Sequence, residues 1–346
     1  MIKNKLNNIS KLYKYISLFI VKKILVFVLL LFCCPVFSQQ EPLFSQYMDN
    51  IFIINPAAAG MYGYTDINLL ARQQWVGFDL APRTFSFSVE GRVLKHKFRL
   101  RKGFQIFNKN KTAAKTYVSK ANGKVGLGFQ VFDDRSGLIE RTGLSLAYAY
   151  HFFIRETQVS LGLSLSATEV RFNKNAAIVN DQADPIYMMS NRYNIFLPDA
   201  NAGCYFLNNL YHAGISAQQI FQTSLQSSQD YKYDYHFQRY FYANGGLFFY
   251  RNDYIFEPSF LFKTSESLNY QCDLSFKTTY RRQFWMAISY RTNNDIIFII
   301  GCHVKNLYIG YSVDYSMTSI SALSYELSVS MRLGSSEKRY RWMERY

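Results

Sequence analysis

Leu323-Ser324-Tyr325-Glu326-Leu327-Ser328-Val329-Ser330-Met331-Arg332-Leu333 alternates without a break. Every odd position is apolar or aromatic, and every even position is small, polar or charged. Successive side chains of a strand point to opposite faces, so this stretch has one apolar and one polar face. The same period governs Leu307 to Tyr315, where Leu307, Ile309, Tyr311, Val313 and Tyr315 fall on one side. Phe85, Phe87 and Val89 oppose Ser86, Ser88 and Glu90, and Val159, Leu161, Leu163 and Leu165 oppose Ser160, Gly162, Ser164 and Ser166. Leu144, Leu146, Tyr148, Tyr150 and Phe152 repeat the pattern.

A soluble sandwich alternates too, but three features point to a transmembrane antiparallel up-and-down β-barrel. The strands run about nine to eleven residues or more, enough to cross a bilayer at a tilt. Their apolar face is rich in Tyr and Phe near strand ends, as interfacial girdles require. Their other face is Gly, Ser and Ala with isolated charges, which suits a watery lumen and not a dry core. The phase puts Leu327 and Val329 in lipid and Ser328 in the lumen. A charge at Val329 is then expected to be costly and one at Ser328 mild.

About fourteen strands are expected: 62–73, 83–94, 123–132, 142–154, 157–172, 200–207, 210–217, 239–250, 253–263, 270–281, 283–292, 295–303, 306–316 and 323–333. Very short turns, such as Asn208-Asn209 and Arg251-Asn252, follow the even-numbered strands from the fourth to the twelfth. Long connections, Asn173 to Asp199 and Gln218 to Gln238, follow the fifth and seventh. Short periplasmic turns, longer external loops and periplasmic termini are the asymmetry such barrels show.

The composition agrees. The 346 residues are 49% hydrophobic and 18% aromatic, with 28 Tyr and 30 Phe. A mean hydropathy of -0.12 rules out a polytopic helical membrane protein. The net charge of +15 is local. Residues 1–38 hold Lys and no acid, and Lys95 to Lys124 forms a basic insertion without acid; the remainder is near neutral. No basic face of the kind nucleic acid needs is expected. Lys22-Lys23, the apolar run Ile24 to Phe32 and Val36-Phe37-Ser38 read as an export signal cleaved before Gln39. The run is too short for a membrane anchor of about 20 residues. A lipoprotein signal is disfavoured because bulky Phe32 precedes Cys33. The mature chain then divides into a periplasmic or plug-like segment 39–61, a barrel 62–333 and a basic tail 334–346. Its cysteines Cys204, Cys272 and Cys302 form no Cys-x-x-Cys pair, so zinc and redox motifs are unsupported.

The segment after the signal carries a family signature. Glu41-Pro42-Leu43-Phe44-Ser45-Gln46-Tyr47-Met48, Asn55-Pro56-Ala57-Ala58-Ala59-Gly60, Arg72-Gln73-Gln74-Trp75-Val76-Gly77 and Ala81-Pro82-Arg83-Thr84 occur in that order. Gly126-Leu127-Gly128 with Asp133-Asp134, Pro258 to Lys263, Phe284 to Arg291 and Ile309 to Tyr315 follow. Together they resemble the PorP/SprF family of outer-membrane barrels of the type IX secretion and gliding machinery of Bacteroidetes. The chain departs from that family in the Lys95–Lys124 insertion and the basic tail. The resemblance implies an outer-membrane location and a non-enzymatic role in secretion or surface attachment of cargo such as adhesins. The implied partners are type IX secretion components and a secreted adhesin or its C-terminal domain.

The candidate partner-binding residues are Phe44, Ser45, Gln46, Tyr47, Asn55, Pro56, Gly60, Arg72, Trp75, Gly77, Pro82 and Arg83, with Tyr231, Tyr233 and Tyr235 in the Gln218–Gln238 loop. Each has a plainer reading. Asn55-Pro56 and Gly60 suit a turn or cap. Trp75 suits an interfacial anchor, and the tyrosines suit an outer girdle. The insertion is a solvated loop or a dock for an acidic periplasmic protein or anionic lipid. No Gly-x-Ser-x-Gly, His-Glu-x-x-His or P-loop occurs in the mature chain, so no catalytic, metal or cofactor residues are expected. His151, His212 and His303 share the lumen phase but lie on separate strands. A passive porin is the alternative function, and a barrel hydrolase a remote third.

Overall fold

The structure, a computed structural model, describes residues 44–93, 125–173, 195–222, 224–225, 235–236, 238–267, 269–292, 294–317 and 322–333. The first strands are β1 (Thr65–Gln73), β2 (Arg83–Val93), β3 (Val125–Ser136), β4 (Ile139–Ile154), β5 (Thr157–Phe172), β6 (Ile195–Leu207) and β7 (Tyr211–Gln218). A two-residue hairpin follows, β8 (Ser224–Leu225) with β9 (Tyr235–His236), paired only to itself. Then come β10 (Tyr240–Leu247), β11 (Phe249–Arg251), β12 (Tyr254–Ser265), β13 (Tyr270–Tyr280), β14 (Phe284–Arg291), β15 (Asp295–Val304), β16 (Leu307–Ser316) and β17 (Ala322–Leu333).

β10 and β11 form one wall strand interrupted at Phe248, and both pair with β12. The wall is a closed antiparallel barrel of 14 strands. Closure runs through β1 and β17, in register from Thr65 opposite Leu333 to Gln73 opposite Tyr325. Closure leaves none of the described wall strands at a sheet edge, as lipid demands of any spanning sheet. At one end, called here the turn end, neighbouring strands join through Arg155-Glu156, Asn252-Asp253, Arg281 to Gln283 and Lys305-Asn306. The connection 94–124 belongs to the same end but lies outside the described residues. The opposite, loop end carries 74–82 and the longer connections after β5 and β7.

The expected strands recur with shifted ends. β3 and β4 meet across only Gly137-Leu138, so both extend past the expected 132 and 142. Asp133, Asp134, Arg135, Glu140 and Arg141 break the apolar period there, which hid the extension. They are satisfied locally: Arg141 reaches Asp134 at 2.6 Å, Arg135 reaches Asp133 at 3.1 Å, and Asn173 donates to Glu140 at 3.1 Å. β6 likewise starts at Ile195 rather than 200, with Pro198 and Asp199 inside the strand.

The phase read from alternation holds. Asp66, Asn68 and Arg72 of β1, Thr84, Ser86, Ser88, Glu90 and Arg92 of β2, and Ser289 and Arg291 of β14 are buried. Phe85, Leu163, Leu165, Ile215, Phe276, Phe284 and Met286 face outward. What shields the inward face corrects one expectation. Much of it is not a watery lumen but a packed interior built around residues 44–61. Tyr47, Ile51, Phe52, Ile54, Ala57, Ala58, Ala59 and Met61 form an apolar cluster with the wall residues Ala147, Ala149, Tyr205, Leu207, Tyr240, Tyr242 and Leu261.

Candidate functional site

Residues 44–61 cross the barrel interior in three short 3-10 turns, Tyr47–Asp49, Ile51–Ile53 and Pro56–Ala58. The third shows how local sequence makes a binding element. Pro56 fits the first helical position, where its missing N–H costs nothing. Asn55 caps it by accepting from the Ala57 N–H at 2.9 Å. The same Asn55 donates through Nδ2 to the carbonyls of Cys204 and Ile215, each at 3.1 Å. The turn reading and the binding reading of Asn55 are therefore both satisfied by one side chain.

The wall carries glycine at several of the points where this segment comes closest. A Cβ on Gly162 would overlap the backbone of Pro56 and Ala57, one on Gly203 the Asn55 amide, and one on Gly126 the Ala59 carbonyl. On Gly128 it would sit 2.5 Å from the Phe52 ring. Gly60 has a φ of 66°, and a Cβ there would lie 2.7 Å from the Gly91 backbone. Small residues on the inward face thus seat another backbone at close range.

At the seam where β16, β17 and β1 meet, the segment is held by charge. The Ser45 and Gln46 N–H groups donate to the Glu326 carboxylate at 2.8 and 2.9 Å. Arg72 bridges Glu326 at 2.9 Å and Asp314 at 2.7 Å, and the Ser45 hydroxyl lies between Arg72 and Asp314. Arg72, Asp314 and Glu326 are all buried. Removing one member of such a group leaves an uncompensated buried charge, typically worth about 3–5 kcal/mol. Gln46 also donates to the Glu326 carbonyl at 3.2 Å and accepts from Ser328 at 2.7 Å. Ser328, expected to face an open lumen, instead meets Gln46 of the luminal segment.

Elsewhere Tyr47 meets Ser275 at 3.3 Å, and Lys277 pairs with Asp49. Asn50 donates to Ser88 at 3.1 Å, Ser216 to the Ile54 carbonyl at 2.6 Å and Gln218 to the Ile53 carbonyl at 3.0 Å. Glu90 accepts from the Gly60 N–H at 3.1 Å, and Arg92 donates to the carbonyls of Gly60 and Met61 at 3.1 and 3.0 Å. His151 Nε2 lies 2.9 Å from the Ala59 carbonyl, so that nitrogen carries a proton and Nδ1 accepts from Ser160 at 2.7 Å. The other two histidines in lumen phase stand apart: His212 with Tyr205 and Glu257, and His303 at the turn end with the Arg282 and Lys305 carbonyls.

The candidate residues from the sequence separate into groups. Phe44, Ser45, Gln46, Tyr47, Asn55, Pro56, Gly60 and Arg72 meet inside the barrel. Trp75, Gly77, Pro82 and Arg83 lie in or beside the first loop, away from that network. The loop is pinned on both sides. Trp75 and Val76 donate backbone N–H to Ser324 Oγ at 3.2 Å and the Leu323 carbonyl at 2.9 Å, and Gly137 donates to the Leu80 carbonyl at 3.2 Å. Gly77 takes a φ of 101°, while Pro82 is buried and Arg83 exposed. Trp75 at 44% and Phe78 at 52% exposure make its tip apolar, with Val76 and Leu80 beside them. Tyr231 and Tyr233 lie outside the described residues, and Tyr235 pairs with Leu225 in β9.

Sequence reading did not single out Glu326, Glu90, Arg92, His151, Gly162 or Gly203 as site residues. The available signal was an isolated charge or a glycine in lumen phase, which a watery lumen explains equally well.

The family described as type IX secretion system membrane protein PorP/SprF matches residues 36–331. No curated protein matches the chain. Among solved structures it is similar to the outer membrane protein Omp33 of Acinetobacter baumannii, at 6% identity and a TM-score of 0.44, covering 78% of this chain and 98% of that one. A KdgM porin in complex with disordered oligogalacturonate is similar at 9% identity and a TM-score of 0.37, covering 78% and 99%.

Proposed function

Because this chain belongs to the PorP/SprF family of type IX secretion system membrane proteins, and is therefore an outer-membrane component of that system, we propose that it acts as a docking platform for secreted cargo and not as a pore. The observation that carries this reading is the luminal segment. Residues 44–61 bond to β1, β2, β4, β5, β6, β7, β12, β13, β16 and β17 and lie against Gly126 and Gly128 of β3, so the interior is committed to the chain's own residues. A passive porin would keep that space for solute. Work then falls to the rims, where loops on a rigid barrel suit binding.

With the loop end outward, the pinned tip of Trp75, Val76, Phe78 and Leu80 offers a small apolar anchor, the kind of feature that dominates protein interfaces. Tyr231, Tyr233 and Tyr235 in the Gln218–Gln238 connection are the second contact. The partner there is a secreted adhesin or its C-terminal domain. At the turn end, the Lys95–Lys124 insertion supplies the charge to hold an acidic periplasmic component or anionic headgroups. The action is binding without catalysis: Glu326, Asp314, His151 and Glu90 are engaged in holding the luminal segment.

Replacing Trp75, Phe78 and Leu80 by Ser in one strain, and Tyr231, Tyr233 and Tyr235 by Ser in another, tests this. Surface display of a type IX cargo should fall in at least one strain, while heat-modifiable mobility shows an intact barrel in both. Normal display in both strains would sink the capture role. Solute flux through reconstituted wild-type protein at porin rates would restore the passive-channel reading.

A further inference from the structure

We propose that the turn end carries a binding site for a phospholipid phosphate on its lipid-facing side, formed by Arg251 and Arg281 beside Tyr254 and Tyr280. Register places these residues. In the β11–β12 ladder Phe249 is opposite Phe256 and Arg251 opposite Tyr254. Directly opposed residues share a face. Phe249 is 54% exposed and Tyr254 44%, so that face is the outer one. Across the next ladder Tyr254 is opposite Tyr280, with ring centroids 4.9 Å apart. Tyr254 also stacks on Phe256 at 6.0 Å, and Phe256 on Phe276 at 6.2 Å. This is a continuous outer aromatic belt reaching the last residues of the wall.

Cations sit on that belt. The Arg281 guanidinium lies 5.2 Å from the centre of the Tyr280 ring. Its Nε donates to Asp253 at 3.0 Å, and a guanidinium has two further nitrogens with which to meet a phosphate. Arg251 projects from the outer face of the neighbouring strand, and Arg282 follows in the same turn. Arg251, Arg281 and Arg282 are all exposed, and Asp253 is the one acid in these two turns. Arg281 and Arg282 also hold φ values of 46° and 55°. Long side chains are disfavoured in that left-handed region, where Asn-Gly would make the turn more cheaply.

The belt decides the ligand. Aromatic rings at a wall's end mark the height where acyl chains give way to headgroups. A free phosphate would meet the arginines alone, whereas a phospholipid meets both: its chains lie on Phe256 and Phe276, its phosphate on Arg251 and Arg281. This site is independent of cargo docking and of the basic insertion.

The test uses the purified full chain in detergent, with phosphatidylglycerol, diacylglycerol of the same acyl chains, or inorganic phosphate added, and native mass spectrometry as readout. Wild type should retain phosphatidylglycerol over diacylglycerol. Each arginine near a phosphate layer contributes about a fivefold factor, so Arg251→Gln with Arg281→Gln should weaken retention roughly 25-fold. Arg251→Lys with Arg281→Lys should keep most of it, and the same Gln changes at Arg135 and Arg171 of the loop end should leave it unchanged. All variants are read on barrels whose heat-modifiable mobility matches wild type. Unchanged retention in the double Gln variant, equal retention of diacylglycerol, or displacement of the lipid by millimolar inorganic phosphate would overturn the proposal.

Discussion

Ser328 and Val329 are neighbours in β17 that face opposite sides of the wall. Val329 lies opposite Leu69 in the middle of β1 and looks into lipid, so Val329→Arg should cost about 2–4 kcal/mol. Ser328 donates to Gln46 at 2.7 Å, and Gly310 lies across the ladder from it. Arginine at that position meets Gln46 and has to move it, a strain of about 1–3 kcal/mol. The two substitutions should therefore both do harm but by separable routes. Urea titration followed by heat-modifiable mobility should register Val329→Arg as a loss of barrel stability. Limited proteolysis should register Ser328→Arg as cleavage within 44–61 in a barrel that persists. Protection of that segment in Ser328→Arg would mean that Gln46 does not hold the site as described.

At the scale of elements, the luminal segment and the wall are complementary through absent side chains. Gly162 seats Pro56 and Ala57, and Gly126 seats the Ala59 carbonyl; in both a Cβ would collide with backbone, which cannot rotate away. Gly245 is different, since its Cβ would sit 3.0 Å from the edge of a Phe260 ring that can shift. Gly162→Ala should therefore destabilise by about 1–3 kcal/mol, and Gly245→Ala by clearly less. The difference in urea midpoints of refolded barrels measures this, and equal midpoints would show that the segment yields easily. The inward Gly-x-Gly of Gly126 and Gly128 was visible as a pattern in the sequence. Its purpose was not, because two glycines facing a lumen look the same whether water or a peptide backbone lies against them.

For the whole molecule, the packed interior makes a statement about conduction. Full-length protein in planar bilayers should be closed, and a variant lacking residues 44–61 should open steps of porin-like conductance if the wall closes without its filling. Porin-like steps from the wild type would show that the segment does not obstruct flow. Strand number, phase and the short turns were legible in the sequence, because each depends on residues within a dozen positions of one another and on a period of two that lipid on one side enforces. The luminal segment was legible only as a signature. Its 3-10 turns have no period, and its meaning lies in partners far along the chain: Arg72 meets Asp314 across 242 positions and Glu326 across 254. Those distances collapse only when β1 closes on β17. An isolated charge in lumen phase is compatible with water, a counter-charge or a backbone amide. Closure of the ring, which brings Ser45 and Gln46 against Glu326, selects among them.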